Sequence, residues 1–292
     1  MHTNSLSRLC SVKNINKTTN IIKNYTSGTM GVPLNNIVKK LTAIAPLNLA
    51  GTWDNVGMLV EPTSNKNIDT ALLTIDLTED VVDEAIRSEA QLIISYHPNI
   101  FQPLKKVTQS HWKQRVVIKC IKNDIAVFSP HTSWDSISGG VNDWLGSVFE
   151  TRESAPIEKN ENDPTIGMGR LLTLKKPMAL DEIIFKVKIH VGIEHLRVAV
   201  ARHKGLDSLI HTVALCAGSG ASILNGINAD LYLTGEMMHH DVLDAAQKGT
   251  HVILTNHSDS ERGFLRTIVD KIKMDNLNVL LSEVDKDCLK TM

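Results

Sequence analysis

Apolar and polar positions along this chain change period in a regular order, and each change predicts an element. Leu34, Ile37, Val38, Leu41, Ile44 and Ala45 recur at helical spacing, and Pro46 ends the run. TWDNVGMLV then reads as a helix-to-strand connection, with Asp54 and Asn55 as loop or capping residues and Trp53 filling a gap under the loop. TALLTID predicts a short strand, and TEDVVDEAIRS an amphipathic helix with acidic residues near its start, where the helix dipole favours them. AQLIISYHP is a continuous apolar run, the signature of a strand buried on both faces. WKQRVVIKCIKNDI predicts a helix, and IAVFSPHTSWD a strand that stops on polar residues. Residues 151–165 show no period and read as a connector. Beyond it come a strand in GRLLTLKK, a helix in ALDEIIFKVKIHVG and strands in RVAVA and VALCAG. VALCAG runs into Gly218-Ser219-Gly220, a strand–Gly–helix junction that could bind an anion through free backbone amides but, without a P-loop Lys, reads rather as a turn that needs positive φ. DLYLTGEM and HVILTNH predict two more strands, each followed by a helix, with Met237 and Met238 as core. NVLL closes the chain as a strand with an exposed acidic tail.

Two of these stretches, Ala71 to Asp135 and Val213 to Glu261, repeat one pattern of strand, helix, strand and strand. Aligning QLIISYHP with DLYLTGEM sets His97 over Glu236. Aligning IAVFSPHTSWD with HVILTNHSDSE sets His131 over His257 and Asp135 over Glu261. Imidazoles and carboxylates recurring at matched strand ends are the chemistry of a metal site, because ligands must be delivered to fixed points in space. The predicted fold class is α/β: two similar α/β lobes with mixed sheets flanked by helices, related by a pseudo-twofold repeat, with the metal cleft between them. The lobes are expected at 31–150 and 166–292.

Composition narrows the class. Formal net charge is −1, so there is no basic field for nucleic-acid phosphates. Cys10, Cys120, Cys216 and Cys288 lie far apart without a CxxC pair, which excludes a zinc-finger spacing and fits a reducing compartment. No apolar run is long enough to span a bilayer, so no membrane is expected. Residues 1–30 differ from the rest: they carry Arg8, Lys13, Lys17 and Lys23 and no acidic residue. That composition fits a mitochondrial transit peptide or a disordered extension without an address.

WDNVG, SYHP, HTSWD, the Gly-Ser-Gly after a strand, LTGEMMHHD and HSDSE occur in an order that resembles the NIF-three-like family, whose members are also described as homologues of GTP cyclohydrolase I type two. The resemblance runs from about Leu34 to the C-terminus and is to the short form of the family. It implies two divalent metal ions between the lobes, held by His97, Asp135, His257 and Glu261, with Glu261 touching both. It also implies ring-shaped homo-oligomers, commonly hexamers, with the metal sites facing an internal cavity. His131 and Glu236 are near-site residues in the family, and both are candidate proton carriers here. Many bacterial members have His-His-Pro where this chain has Tyr96-His97-Pro98, a change shared with eukaryotic members. One imidazole is thereby lost from the second metal. Imidazole ligands suit Zn, Fe, Co or Ni, and carboxylates suit Mg or Mn.

Two functions follow from the resemblance. One is a metal-dependent hydrolase of a nucleotide-like or other phosphorylated substrate. The other is a non-enzymatic scaffold or transcriptional co-regulator with structural metals, binding protein partners in the cytoplasm or nucleus. For the N-terminal stretch, limited proteolysis of the native protein is expected to cut first within residues 1–30; protection of that stretch would contradict the reading.

Overall fold

The computed structural model describes residues 31–290, so the reading of residues 1–30 lies outside it. The first half runs β1 (Val32–Pro33), α1 (Leu34–Ile44), β2 (Gly57–Val60), β3 (Asn67–Ile68), β4 (Thr70–Thr74), α2 (Glu79–Arg87), β5 (Leu92–Ser95), α3 (Trp112–Lys122), β6 (Ala126–Ser129), α4 (Thr132–Ser136) and α5 (Val141–Gly146). The second runs β7 (Thr151–Ala155), β8 (Glu158–Lys159), β9 (Gly167–Met168), β10 (Arg170–Ala179), α6 (Leu180–Val191), β11 (Arg197–Ala199), β12 (Leu209–Ser219), α7 (Ala221–Leu224), β13 (Leu231–Glu236), α8 (His239–Gln247), β14 (His251–Leu254), α9 (Asp259–Arg262), α10 (Phe264–Ile272) and β15 (Asn278–Leu281).

The repeat read from the sequence is a repeat of topology. β4, β5 and β6 lie side by side and parallel, and so do β12, β13 and β14. Each triplet carries a strand from earlier in the chain, β2 or β11, antiparallel on its last member. The two sheets close differently at the other edge. β15 adds parallel to β4, whereas β10 adds antiparallel to β12 and β7 to β10.

Side-chain alternation decides the layering, since successive residues of a strand face opposite sides. On the first sheet Leu72, Ile93 and Val127 face outward and are covered by Val81 and Val82 of α2 and Val116 and Val117 of α3. On the second, Ala214, Tyr232 and Val252 are covered by Leu224 and Ala245. The opposite faces share one core. Leu73, Ile94 and Phe128 from the first sheet and Leu215, Leu233 and Ile253 from the second join Leu34 and Ile37 of α1, Leu145 of α5, Ile183 of α6 and Ile268 of α10. Two sheets packed on common helices leave the C-terminal ends of both parallel triplets directed at one seam.

Two boundaries differ from the sequence reading. The stretch 151–165 is not a plain connector, because Thr151–Ala155 is an edge strand of the second sheet. Its run is polar and mostly exposed, so it has no apolar period to read. The second lobe also does not own everything to residue 292, since Asn278–Leu281 returns to the first sheet. Strand pairing over two hundred residues leaves no local mark.

Trp134 and Phe264 are fully buried and meet edge to face at 5.6 Å, joining α4, which carries Asp135, to α10 behind Glu261. We predict that Phe264→Ala lowers unfolding free energy by about 3–5 kcal/mol, the usual loss for a buried Phe. Urea denaturation reads this directly, and a loss below about 1 kcal/mol would show that the joint is not needed.

Candidate metal centre

His97 follows β5 of the first sheet and His257 follows β14 of the second, yet their rings lie 5.2 Å apart, centre to centre. Between them stands Glu261 of α9, whose side chain is 4% exposed. It presents Oε2 to His97 Nε2 at 3.3 Å and Oε1 to His257 Nε2 at 3.4 Å. Each imidazole is gripped from behind at Nδ1: His97 by Asp76 at 2.9 Å and His257 by Glu236 at 2.8 Å. That arrangement fixes the ring orientation and makes Nε2 the atom offered to the centre. One ligand atom from each of His97, His257 and Glu261 lies within 4.8 Å of the other two.

The chemistry of these atoms fits a cation. His97 Nε2 and Glu261 Oε2 are buried and face each other without a hydrogen bond. Buried polar atoms are normally paired, and a metal ion is a partner both could accept. Burial opposes charge on the His97 ring, but the bond to Asp76 and the adjacent Glu261 carboxylate outweigh it and raise its pKa to about 10. The carboxylates around this ring therefore favour positive charge at the centre, on the ring or on a bound ion.

Gly218 shows how closely the backbone approaches. It follows the apolar part of β12 with φ +64, and a Cβ there would stand 2.5 Å from Glu261 Oε1 and 3.1 Å from His257 Nε2. The positive-φ turn read from the sequence is present, and it also keeps room for the ligand atoms. The backbone N–H of Gly218 donates to Ser260 Oγ at 2.7 Å, tying the glycine to the helix that carries Glu261.

Asp135 lies outside the group of three. It is buried on α4, and burial, partly offset by nearby His131 and by the bond from Tyr96, raises its carboxyl to about 6. Tyr96 Oη donates to Asp135 Oδ1 at 2.5 Å. Burial, with the charges of Asp135 and Glu261, pushes the phenol well above its ordinary value, so Tyr96 stays protonated and acts as a donor. Asn142 spans the seam beside them, donating to the Asp135 carbonyl at 3.0 Å and accepting from Ala217 N–H at 2.9 Å.

His131 sits at the cleft wall with φ +33, an uncommon conformation for a residue with a side chain. Its Nδ1 lies 2.7 Å from Asp54, a carboxylate with no exposed surface that also accepts from Thr132 Oγ1 at 2.5 Å. Burial raises the Asp54 pKa, but the bonds from His131, Thr132 and Asn55 outweigh it and leave it below the ordinary range. Trp53 does not fill a gap under its loop as expected. It is 62% exposed and meets Phe101 and His131 edge-on at 6.0 and 6.1 Å. Glu236 ends β13 and grips His257; α8 begins only at His239. Met238, a core position by sequence, is 75% exposed.

Above the centre opens a cleft of about 530 Å³, lined by His97, His131, Glu236 and His257 and by the cations Lys113 and Arg197. The sequence reading missed Asp76 and Asp54. Both were visible as carboxylates, in TID at a strand end and in WDNVG, but nothing local says which imidazole a carboxylate will meet.

The sequence profile of Duf34/NIF3 (NGG1p interacting factor 3) matches residues 32–288. The chain belongs to the NIF3 family. A Drosophila melanogaster relative, NIF3-like protein 1, is 48% identical over 266 residues, covering 90% of each chain. A Saccharomyces cerevisiae relative, NGG1-interacting factor 3, is 36% identical and covers 88% of this chain and 96% of its own. Among solved structures, a Bacillus cereus protein related to NIF3 superposes with a TM-score of 0.78 at 21% identity, over 88% of this chain and 98% of its own; at that identity it supports the fold alone. The family resemblance read from the motifs is therefore upheld, as is the fold of two similar lobes. Among the described residues, no helix is long and apolar enough to cross a membrane.

Gly218→Ala is predicted to weaken divalent-metal binding roughly tenfold or more, the scale on which groups behind metal ligands act. Isothermal titration with Zn²⁺ measures it, and wild-type affinity in the variant would mean that Glu261 has room to move.

Proposed function

We propose that this NIF3-family chain is a divalent-metal-dependent hydrolase acting on a nucleotide-like or other phosphorylated substrate. The observation that carries the reading is the facing pair of buried, unbonded atoms, His97 Nε2 and Glu261 Oε2, on the floor of a cleft open to small molecules. In this reading His97 and His257 hold one ion through Nε2. Glu261 would help hold that ion and, with Asp135, a second one. When bound, such ions supply Lewis acidity and an activated water. Asp76 and Glu236 keep the two imidazoles oriented. Lys113 and Arg197 draw a negatively charged group into the cleft. His131, oriented by Asp54, carries a proton to or from the reacting group, and Glu236 is a second candidate for that role. The ring-shaped homo-oligomer implied by the family, commonly a hexamer, belongs to the same proposal.

A second reading has its own support. The yeast relative is named for an interaction with NGG1, and Tyr96 already occupies one oxygen of Asp135. In that reading the chain is a partner-binding protein, with one structural ion or none at the Asp135 position.

The decisive experiment is metal titration of wild type, Tyr96→His and Glu261→Gln, followed by a phosphoester screen of the loaded proteins. Two unequal sites are expected, the imidazole site tighter. Tyr96→His should strengthen the weaker site, and Glu261→Gln should weaken both by roughly tenfold or more. Turnover should then fall at least a hundredfold in His131→Ala with metal content unchanged. Equal sites, or no effect of Glu261→Gln, would sink the two-ion arrangement, and tight metal binding without turnover of any phosphoester would favour the second reading.

A further inference from the structure

We infer that the C-terminal segment after β15 is a strap that holds the metal-site residues of the two lobes in register, with Asp285 as its positioning residue. The inference rests on the metal reading above. The sequence suggested an exposed acidic tail here, but the Asp285 side chain is only 3% exposed.

The route of the strap explains its burial. β15 pairs with β4, so the chain leaves the first sheet at Leu281 and then crosses the seam. Asp285 Oδ2 accepts the backbone N–H of Ile75 at 2.7 Å and lies 2.7 Å from Arg262 Nη1. Ile75 immediately precedes Asp76, the carboxylate that orients His97. Arg262 immediately follows Glu261. One carboxylate oxygen therefore joins the first lobe's support for an imidazole to the helix that delivers the shared carboxylate.

A second contact reaches the other imidazole. Ser258, next to His257, donates to Asp287 Oδ2 at 2.7 Å, and Arg262 Nη2 donates to Ser258 Oγ at 2.9 Å. Asp287, Cys288 and Leu289 then form part of the cleft wall. Every candidate ligand in the group of three thus has a neighbour, or a supporting residue's neighbour, tied to this segment.

Removing Asp285 leaves the Ile75 N–H without its acceptor and Arg262 without its counter-charge, and both losses are largest where water is excluded. The same segment has an anchor outside the centre. Glu84 of α2 accepts from the backbone N–H of Glu283 at 2.8 Å and from the Ser282 hydroxyl. That anchor separates holding the strap down from positioning the ligands.

The experiment titrates Zn²⁺ into the metal-stripped full chain and records the Co²⁺ absorption spectrum, well below the melting temperature. The proteins are wild type, Asp285→Ala, Asp285→Asn and Glu84→Ala. Asp285→Ala should weaken Zn²⁺ binding roughly ten- to hundredfold and shift the Co²⁺ bands. Asp285→Asn, which keeps an acceptor for Ile75 and loses the charge opposite Arg262, should fall between it and wild type. Glu84→Ala should lower the melting temperature and leave affinity and spectrum unchanged. Wild-type affinity in Asp285→Ala overturns the inference, and so does an equal loss of affinity in Glu84→Ala. If Asp285→Ala does not fold, Asp285→Asn decides on the same terms. Failure of wild type to bind either ion overturns the metal reading and this inference together, and is distinguished because it does not depend on any variant.

Discussion

A carboxylate buried between two lobes must be matched by positive charge, and most of this structure is arranged around that requirement at Glu261. An unpaired buried carboxylate is strongly disfavoured, so the fold must bring cations or a metal ion to it. Its two oxygens face imidazoles from different sheets, one at 3.3 Å and one at 3.4 Å. Separating the lobes would take the His97 imidazole from Oε2 and leave only His257, of the same lobe, beside the carboxylate. The shared apolar core holds the sheets together without direction, whereas Glu261 sets their relative register at the seam.

Behind that carboxylate the site is built in pairs. His97 rests on Asp76, His257 on Glu236, and His131 on Asp54. Each pair leaves one ring nitrogen turned away from its carboxylate, and the pairs differ in what that nitrogen meets. For His97 and His257 it meets Glu261, which suits metal binding. His131 instead lies on the cleft wall beside Phe101. Tyr96 breaks the pattern, since it spends its hydroxyl on Asp135 and contributes a donor where a ligand would contribute a lone pair.

The seam is closed by polar contacts that span long stretches of chain. Asn142 links α4 to the strand that leads to Gly218, and Asp285 links β4 to α9. Both are well shielded from water, where a hydrogen bond is strong and an unmade one expensive. Such contacts specify geometry more sharply than the surrounding Leu and Ile side chains, which tolerate small shifts.

Much of this was legible in the residues alone. Helical and strand periods located α1, α2, α3 and α6 and the parallel triplets, because each must bury one stripe or both faces. The matched strand ends singled out His97, His131, Asp135, Glu236, His257 and Glu261, because a repeated unit puts like chemistry at like positions. Pairing partners were not legible. That Asp54 would meet His131, that Asp76 would meet His97, and that Asn278–Leu281 would rejoin the first sheet depend on contacts between residues distant in sequence. Exposure misled for the same reason. An acidic tail looks solvated until an arginine and a free backbone N–H are brought to it, and Trp53 looks buried until its loop is seen at the lip of a cleft. Local pattern determined what each segment could become; only the packing of two lobes on one core decided which side chains would share a site.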